Sequence, residues 1–141
     1  MLSPSLEDYL EEIYRLSLSG QTVRVSDVAA RLGVKLPSVT RALQRLHDDA
    51  YLTYERYREI TLTERGRRTG RYLVERNRTL QEFLTVIGAG CDIAAEAEAM
   101  EHYLSPSTIR AIEDLVAFLR QHGAYLKALD DFRRARPHKV P

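Results

Sequence analysis

Two groups of acidic side chains that lie far apart in the sequence have the spacing of metal ligands. If their segment is helical, Glu98, Glu101 and His102 stand at positions i, i+3 and i+4, so two carboxylates and an imidazole project from one face. Carboxylates with one imidazole and no thiolate suit a hard to borderline divalent ion such as Mn²⁺. This segment alone is better explained by a solvated acidic helix face. A second acidic pair at helical spacing, Asp8 and Glu11, favours the hypothesis that the two groups meet around a metal ion.

Length and composition limit the class of protein. The 141 residues suffice for one ordinary domain or two small ones. Charged residues make up 29% and hydrophobic residues 44% of the chain, which is typical of a globular protein and not of a disordered one. The formal net charge is only +1, so a nucleic-acid partner cannot be inferred from the total. Any basic surface that binds nucleic acid has to be local.

The single cysteine and the N-terminal residues indicate the compartment. Cys91 is the one cysteine, which excludes an intramolecular disulfide and fits a reducing environment. The chain has no apolar run near transmembrane length, and carboxylates occupy the N-terminal region where a signal peptide would be apolar. We therefore expect a soluble cytoplasmic protein without a membrane partner.

Residues 25–49 have the pattern of a helix-turn-helix. A short helix over residues 26–32 is followed by Gly33, which can take positive φ, and a second helix begins near Pro37. An ordinary helical hairpin with a solvated polar face is the alternative. Polar side chains on the second helix can reach base edges or phosphates, and we favour DNA binding because of the segment that follows. The candidate DNA-contacting residues are Pro37, Ser38, Thr40, Arg41, Gln44 and Arg45.

Residues 51–62 alternate between apolar and polar side chains, which predicts a β-hairpin. A hairpin directly after a helix-turn-helix is typical of a winged helix, whose wing tip follows the phosphate backbone. Arg56, Tyr57 and Arg58 lie near the predicted tip and are the candidate phosphate contacts. Glu59 beside them would repel phosphate.

The second half of the chain is predicted to be entirely helical. Residues 64–87 form one long helix of about six turns, and Asn77 falls on its apolar stripe. A buried polar residue there needs a hydrogen-bond partner, or it forms a wall of the metal pocket. Three further helices follow, over residues 94–104, from Ser105-Pro106 to Gly123, and over residues 124–136. So short a bundle buries too little apolar surface unless it meets a second copy, which predicts a dimerisation domain.

The predicted fold is mainly α. An N-terminal winged helix-turn-helix DNA-binding domain spans residues 1–70, and an all-helical metal-binding and dimerisation domain spans residues 71–141. The first helix, which Ser3-Pro4 opens as N-cap and first helical residue, contributes to the metal site.

Several segments together resemble the manganese transport regulators, the short branch of the diphtheria toxin repressor family. The segments are Ser-Leu-Glu-Asp-Tyr-Leu-Glu-Glu-Ile-Tyr at 5–14, Arg24-Val-Ser-Asp-Val-Ala, Pro37-Ser-Val-Thr, Tyr51-Leu-Thr-Tyr-Glu-Arg-Tyr-Arg and Glu101-His102-Tyr-Leu-Ser. The resemblance covers nearly the whole chain, and the combination is specific although each piece alone is weak. Longer members of the family carry an additional C-terminal SH3-like domain, which we expect this chain to lack.

The resemblance implies a homodimeric winged-helix repressor that binds double-stranded operator DNA when loaded with divalent metal, and that has no small-molecule substrate. The family's metal ligands fall on Asp8, Glu11, Glu98, Glu101 and His102. In the iron-type branch, sulfur-bearing side chains occupy the positions of Asp8 and Glu101, so carboxylates there favour the manganese type. The resemblance thus implies one or two Mn²⁺ ions per subunit, with Fe²⁺ or another divalent ion as alternatives.

Asn77 departs from the family, which has a histidine at this position. An amide oxygen is a weak neutral donor, closer to what Ca²⁺ or Mg²⁺ accepts, so we expect weaker binding, altered metal preference or a single site. A metal-independent winged-helix regulator is the first alternative. A metal-dependent hydrolase is disfavoured because no general base stands apart from the ligands, and the Arg41, Gln44 and Arg45 cluster disfavours a protein–protein adaptor. We therefore predict a repressor of manganese-homeostasis genes and not an enzyme.

Overall fold

A computed structural model of the chain describes residues 1–55 and 59–137. Within these ranges it contains seven helices and one antiparallel two-stranded sheet. The elements are α1 (Pro4–Ser17), α2 (Val25–Leu32), α3 (Leu36–Asp48), β1 (Leu52–Thr53), β2 (Thr61–Leu62), α4 (Glu64–Val86), α5 (Ile93–Glu101), α6 (Pro106–Gln121) and α7 (Gly123–Ala135). The mainly helical fold class predicted from the sequence is confirmed. The chain forms two compact units, residues 1–75 and 76–141, and the division falls within α4.

The first helix of the first unit is fixed by its cap and by its apolar face. The Ser3 hydroxyl accepts a hydrogen bond of 3.3 Å from the Leu6 backbone N–H, and Pro4 occupies the first turn. A proline is tolerated there because that N–H has no partner within the helix. Leu10 and Ile13 are completely buried, so α1 is held by the core of this unit rather than by propensity alone.

The helix-turn-helix predicted from residues 25–49 is present. Gly33 ends α2 in the left-handed region, with φ of 63°, a conformation that glycine adopts without a steric penalty. The apolar face of α3 is buried, with Val39, Leu43 and Leu46 completely enclosed. Because these residues recur at helical spacing, the polar residues of α3 are left on its outer face.

The strands after α3 form the base of a wing. Leu52 pairs with Leu62 and Thr53 with Thr61 in antiparallel register, and an isolated bridge joins Val23 to Ile60. The predicted wing-tip residues, Arg56, Tyr57 and Arg58, lie outside the described residues.

Two glycines at the start of α4 allow close packing within the first unit. A Cβ atom added to Gly70 would lie 2.6 Å from the Tyr14 Cβ atom, and one added to Gly66 would clash with the Tyr51 carbonyl oxygen. The Thr63 hydroxyl accepts a 3.0 Å hydrogen bond from the Gly66 N–H and so caps the helix.

The second unit has a small interior. Its completely or nearly completely buried apolar residues around α4 are Leu80, Leu84, Ala97 and Ile109. Apolar side chains on α6 and α7 remain exposed, and they include Leu115, Phe118, Tyr125 and Phe132. No described residue of α7 is buried. Much of the apolar surface of this unit is therefore uncovered in a single chain.

Two helix boundaries in the second unit differ from the sequence prediction. The helix predicted over residues 94–104 ends at Glu101, and His102 is its C-cap with φ of −74° and ψ of −15°. Ser105 is extended, with ψ of 156°, and caps α6, because a following proline disfavours helical backbone. Gly123, predicted to end α6, instead begins α7.

Candidate metal and DNA-binding sites

Glu101 is a buried carboxylate at the end of α5. Only 1% of the residue is exposed. Its Oε2 atom accepts a 2.9 Å hydrogen bond from Asn77 Nδ2, and its Oε1 atom lies 3.8 Å from His102 Nε2. Burying a carboxylate is costly unless polar partners compensate for the lost water. The arrangement is therefore a built polar site and not a solvated helix face.

Asn77 reaches this site from α4. While Nδ2 donates to Glu101, the Asn77 Oδ1 atom accepts a 2.7 Å hydrogen bond from Gln81 Nε2. Asn77 is half-buried, and both ends of its amide are engaged. Asn77, a polar residue on the apolar stripe of α4, thus has a hydrogen-bond partner at each end of its amide.

The remaining predicted ligands have different surroundings. Glu98 is exposed on α5, three residues before Glu101. In the first unit, Asp8 is half-buried on α1, and Glu11 is buried and forms a 3.2 Å ion pair with Arg15. Asp8 and Glu11 belong to one compact unit and Glu98, Glu101 and His102 to the other, and their common ligand set remains a prediction.

The donor set fits a hard to borderline divalent cation. Glu101 offers carboxylate oxygens and His102 an imidazole, a combination that suits Mn²⁺. The chain's cysteine, Cys91, is not among the predicted ligands. Desolvation and a hydrogen bond with Glu96 raise the pKa of the Cys91 thiol, and a protonated thiol is a poor metal ligand.

The outer face of α3 carries the predicted DNA contacts. Pro37, Thr40, Arg41, Gln44 and Arg45 are exposed, while Ser38 is half-buried. Two of these side chains are paired along the helix, since Gln44 Nε2 donates to Asp48 at 2.9 Å and Arg45 Nε donates to Asp49 at 3.1 Å. Exposed pairs of this kind contribute little stability, so DNA can displace them at low cost.

A groove of about 1350 Å³ lies beside this face in the first unit. Thr40 and Gln44 of α3 line it together with Arg24, Ser26 and Thr53. Sequence reasoning missed the last three, because α2, α3 and the strand come together only in the folded chain. The signal available in the sequence was the basic Arg24 directly before α2.

Glu59, which was expected to repel phosphate, has a partner within the protein. Its Oε1 atom accepts a 3.3 Å hydrogen bond from the Thr22 hydroxyl. This contact joins the segment before α2 to the wing.

Two family models match consecutive parts of the chain. One describes the N-terminal DNA-binding domain of the iron-dependent repressors and matches residues 1–60. The other describes the metal-binding and dimerisation domain of the same family and matches residues 63–124. This chain belongs to the iron-dependent repressor family. The family predicted from the sequence is confirmed, and its members are repressors, not enzymes.

Two proteins that are similar to the chain over nearly its whole length are transcriptional regulators. The chain is 42% identical over 135 residues to the HTH-type transcriptional regulator MntR of Geobacillus kaustophilus, covering 95% of this chain and 96% of that protein. It is 40% identical over 139 residues to MntR of Bacillus subtilis, covering 98% of each.

Solved structures support the same fold. A manganese-dependent transcriptional repressor in complex with manganese superposes with a TM-score of 0.72 and 27% identity over 80% of this chain. The manganese regulator SloR superposes with a TM-score of 0.72 and 24% identity over 83% of the chain. The chain spans about half the length of these two, 53% and 55% respectively. No helix in the described parts of the chain is long and apolar enough to span a membrane.

Proposed function

We propose that this protein is a metal-responsive, DNA-binding transcriptional repressor of manganese-homeostasis genes that acts as a homodimer in the cytoplasm. The observation that carries the proposal is the buried Glu101 carboxylate beside His102 in a chain whose first unit is a winged helix-turn-helix. A buried carboxylate with hard-ligand neighbours is suited to a cation, and α3 with its exposed polar face is suited to the major groove of operator DNA.

The proposed ligands are Asp8, Glu11, Glu98, Glu101 and His102. When bound, Mn²⁺ would supply positive charge that neutralises the carboxylates and a coordination preference that links them. Without it, four carboxylates in one place would repel one another and favour separation of the elements that carry them. With their charge neutralised, these side chains would hold α1 and the end of α5 in one arrangement.

Repression then depends on a population shift in the dimer. The arrangement that binds operator DNA holds the two copies of α3 about 34 Å apart, one turn of B-DNA, so that both enter successive major grooves. Moving the equilibrium from 1:99 to 99:1 requires a preference of about 10⁴-fold for that arrangement, or about 5.5 kcal/mol.

The second copy would cover the apolar side chains of α6 and α7. Leu115 is 45% exposed and Phe132 is 60% exposed, while the interior of this unit is small. Large apolar side chains left exposed on two successive helices favour an interaction surface there. The family model for metal binding and dimerisation matches residues 63–124, which include α6.

A selection experiment tests the proposed function. The purified protein is used to enrich sites from a random duplex DNA library, once with Mn²⁺ and once with a chelator. We expect two related half-sites about one helical turn apart to be enriched only with Mn²⁺. Glu101→Gln, which keeps the shape of the side chain and removes its charge, should enrich nothing under either condition. Failure of the natural protein to enrich any site would contradict DNA binding.

The hydrogen bonds of Asn77 favour one alternative function, a metal-independent winged-helix regulator. Its oxygen, the atom that could coordinate a cation, accepts a hydrogen bond from Gln81. Equal enrichment of the same sites in Mn²⁺ and in chelator would support this alternative.

A further inference from the structure

The two amide side chains beside Glu101 form a hydrogen-bond relay. Gln81 Nε2 donates to Asn77 Oδ1 at 2.7 Å, and Asn77 Nδ2 donates to Glu101 Oε2 at 2.9 Å. An amide group has one accepting oxygen and one donating nitrogen. The relay therefore gives the Asn77 side chain a direction, with its oxygen toward Gln81 and its nitrogen toward Glu101.

The reversed orientation of Asn77 is disfavoured at the carboxylate. It would place the Asn77 oxygen against a Glu101 oxygen, and a carboxylate can only accept. Glu101 is almost completely buried, so water cannot relieve the contact, and an unmade hydrogen bond at a buried charge is expensive. Gln81 supports the observed direction from the other end, because it satisfies the oxygen that points away from Glu101.

We propose that Asn77 is a positioning residue and not a metal ligand, and that Gln81 is the second member of a relay that orients Glu101 toward the cation. This inference rests on the proposed function, since it describes the metal centre of the proposed repressor. Glu101 Oε2 accepts the hydrogen bond from Asn77, and Oε1 lies 3.8 Å from Nε2 of His102, the neighbouring proposed ligand.

The relay also changes the chemistry of the centre. With Asn77 acting through Glu101, His102 is the one nitrogen donor among the proposed ligands. A donor set with one imidazole has a weaker preference for borderline ions over hard ions than a donor set with two. The centre should therefore bind Mn²⁺ with less discrimination against Mg²⁺ than a variant that restores an imidazole, Asn77→His.

Variants of Gln81 distinguish a positioning role of Asn77 from a role as metal ligand, because the two roles predict opposite changes in Mn²⁺ affinity. Gln81→Leu removes the donor and frees the Asn77 oxygen, while Gln81→Glu offers an acceptor that draws the Asn77 nitrogen away from Glu101. If Asn77 positions Glu101, both changes weaken Mn²⁺ binding, by about 10- to 100-fold as for other groups that orient a metal ligand. If the Asn77 oxygen is a ligand, both changes leave binding unchanged or tighten it.

Calorimetric Mn²⁺ titration of the chelator-stripped protein measures these affinities. Glu82→Gln is the matched control, because Glu82 follows Gln81 directly on α4 and faces Arg78, 4.0 Å away. The NMR resonances of the side-chain amides, recorded without metal, give a readout independent of binding. In the natural protein and in Glu82→Gln, the Asn77 amide protons should exchange slowly, and in Gln81→Leu they should exchange faster. Thermal unfolding without metal identifies any variant that is simply unfolded.

The possible results distinguish a failure of the relay from a failure of the proposed repressor function. Weaker Mn²⁺ binding in both Gln81 variants, with an unchanged control, supports the relay. Binding by the natural protein that is unaltered or tighter in Gln81→Leu and Gln81→Glu overturns the relay and leaves the repressor function in place. A natural protein that binds no Mn²⁺ contradicts the proposed function and the positioning role together.

Discussion

The two compact units of the chain differ in how much of their apolar surface they bury themselves. The first unit encloses Leu10, Ile13, Leu43 and Leu46 completely, and its polar side chains face outward on α3. The second unit encloses few apolar residues, leaves those of α6 and α7 exposed, and places a carboxylate, Glu101, in its interior. The first unit is therefore stabilised by its own packing. The second unit leaves apolar surface exposed, which a binding partner would cover.

The largest expected effect comes from removing packing in the first unit. Leu43→Ala deletes a completely buried side chain of α3 and should lower the free energy of unfolding by about 2–5 kcal/mol. Chemical denaturation followed by circular dichroism measures the change. A loss below about 1 kcal/mol would show that the first unit does not depend on its core in this way.

A smaller loss is expected from filling the close contact between α1 and α4. Gly70→Ala places a Cβ atom 2.6 Å from the Tyr14 Cβ atom and should cost about 1–3 kcal/mol, as other overpacked sites do. Gly90→Ala is the control, because nothing lies within 4 Å of the added atom. Denaturation midpoints that fall equally in both variants would contradict the close-contact explanation.

In the second unit, replacing an apolar side chain should affect formation of the dimer more than folding of the unit. Leu115→Ser replaces a side chain that is 45% exposed in the single chain, so it should change the stability of the unit by less than about 1 kcal/mol. If a second copy covers this side chain, the dimer should dissociate at a concentration about tenfold or more higher. Sedimentation over a dilution series measures this. An unchanged dimer would place the interface elsewhere.

The smallest effect concerns Cys91 and affects reactivity rather than packing. Desolvation and then the hydrogen bond with Glu96 raise the pKa of its thiol, so less thiolate is present near neutral pH than in an unfolded chain. The neutral form is favoured on folding, and its contribution to stability is therefore present at low pH and lost as the pH rises through the folded pKa. Glu96→Gln should lower the pKa and accelerate alkylation of Cys91 at pH 8. Alkylation at the same rate in both proteins would contradict the role of Glu96.

Local signals in the sequence were sufficient for much of the fold. Ser3-Pro4 and Ser105-Pro106 correctly predicted the starts of α1 and α6. The Ser3 hydroxyl caps α1 as expected. The end of α5 was predicted three residues too late, at Leu104 instead of Glu101.

Long-range pairing was beyond what the sequence predicts. Asn77 was recognised as a polar residue on an apolar stripe, but the direction of its amide depends on Glu101, 24 positions away. Nothing in the sequence indicated a role for Gln81, since glutamine is common on the solvent-facing side of helices. The groove residues Arg24 and Thr53 likewise come together only through tertiary packing.

The most direct test of the account is a calorimetric titration of the chelator-stripped natural protein with Mn²⁺, beside Glu101→Gln. We expect saturable binding by the natural protein. In Glu101→Gln we expect a loss of affinity larger than the roughly 10- to 100-fold that follows when only an orienting partner is removed. Equal binding by both proteins would contradict a metal centre at Glu101. Absence of binding by the natural protein would favour a regulator that works without metal.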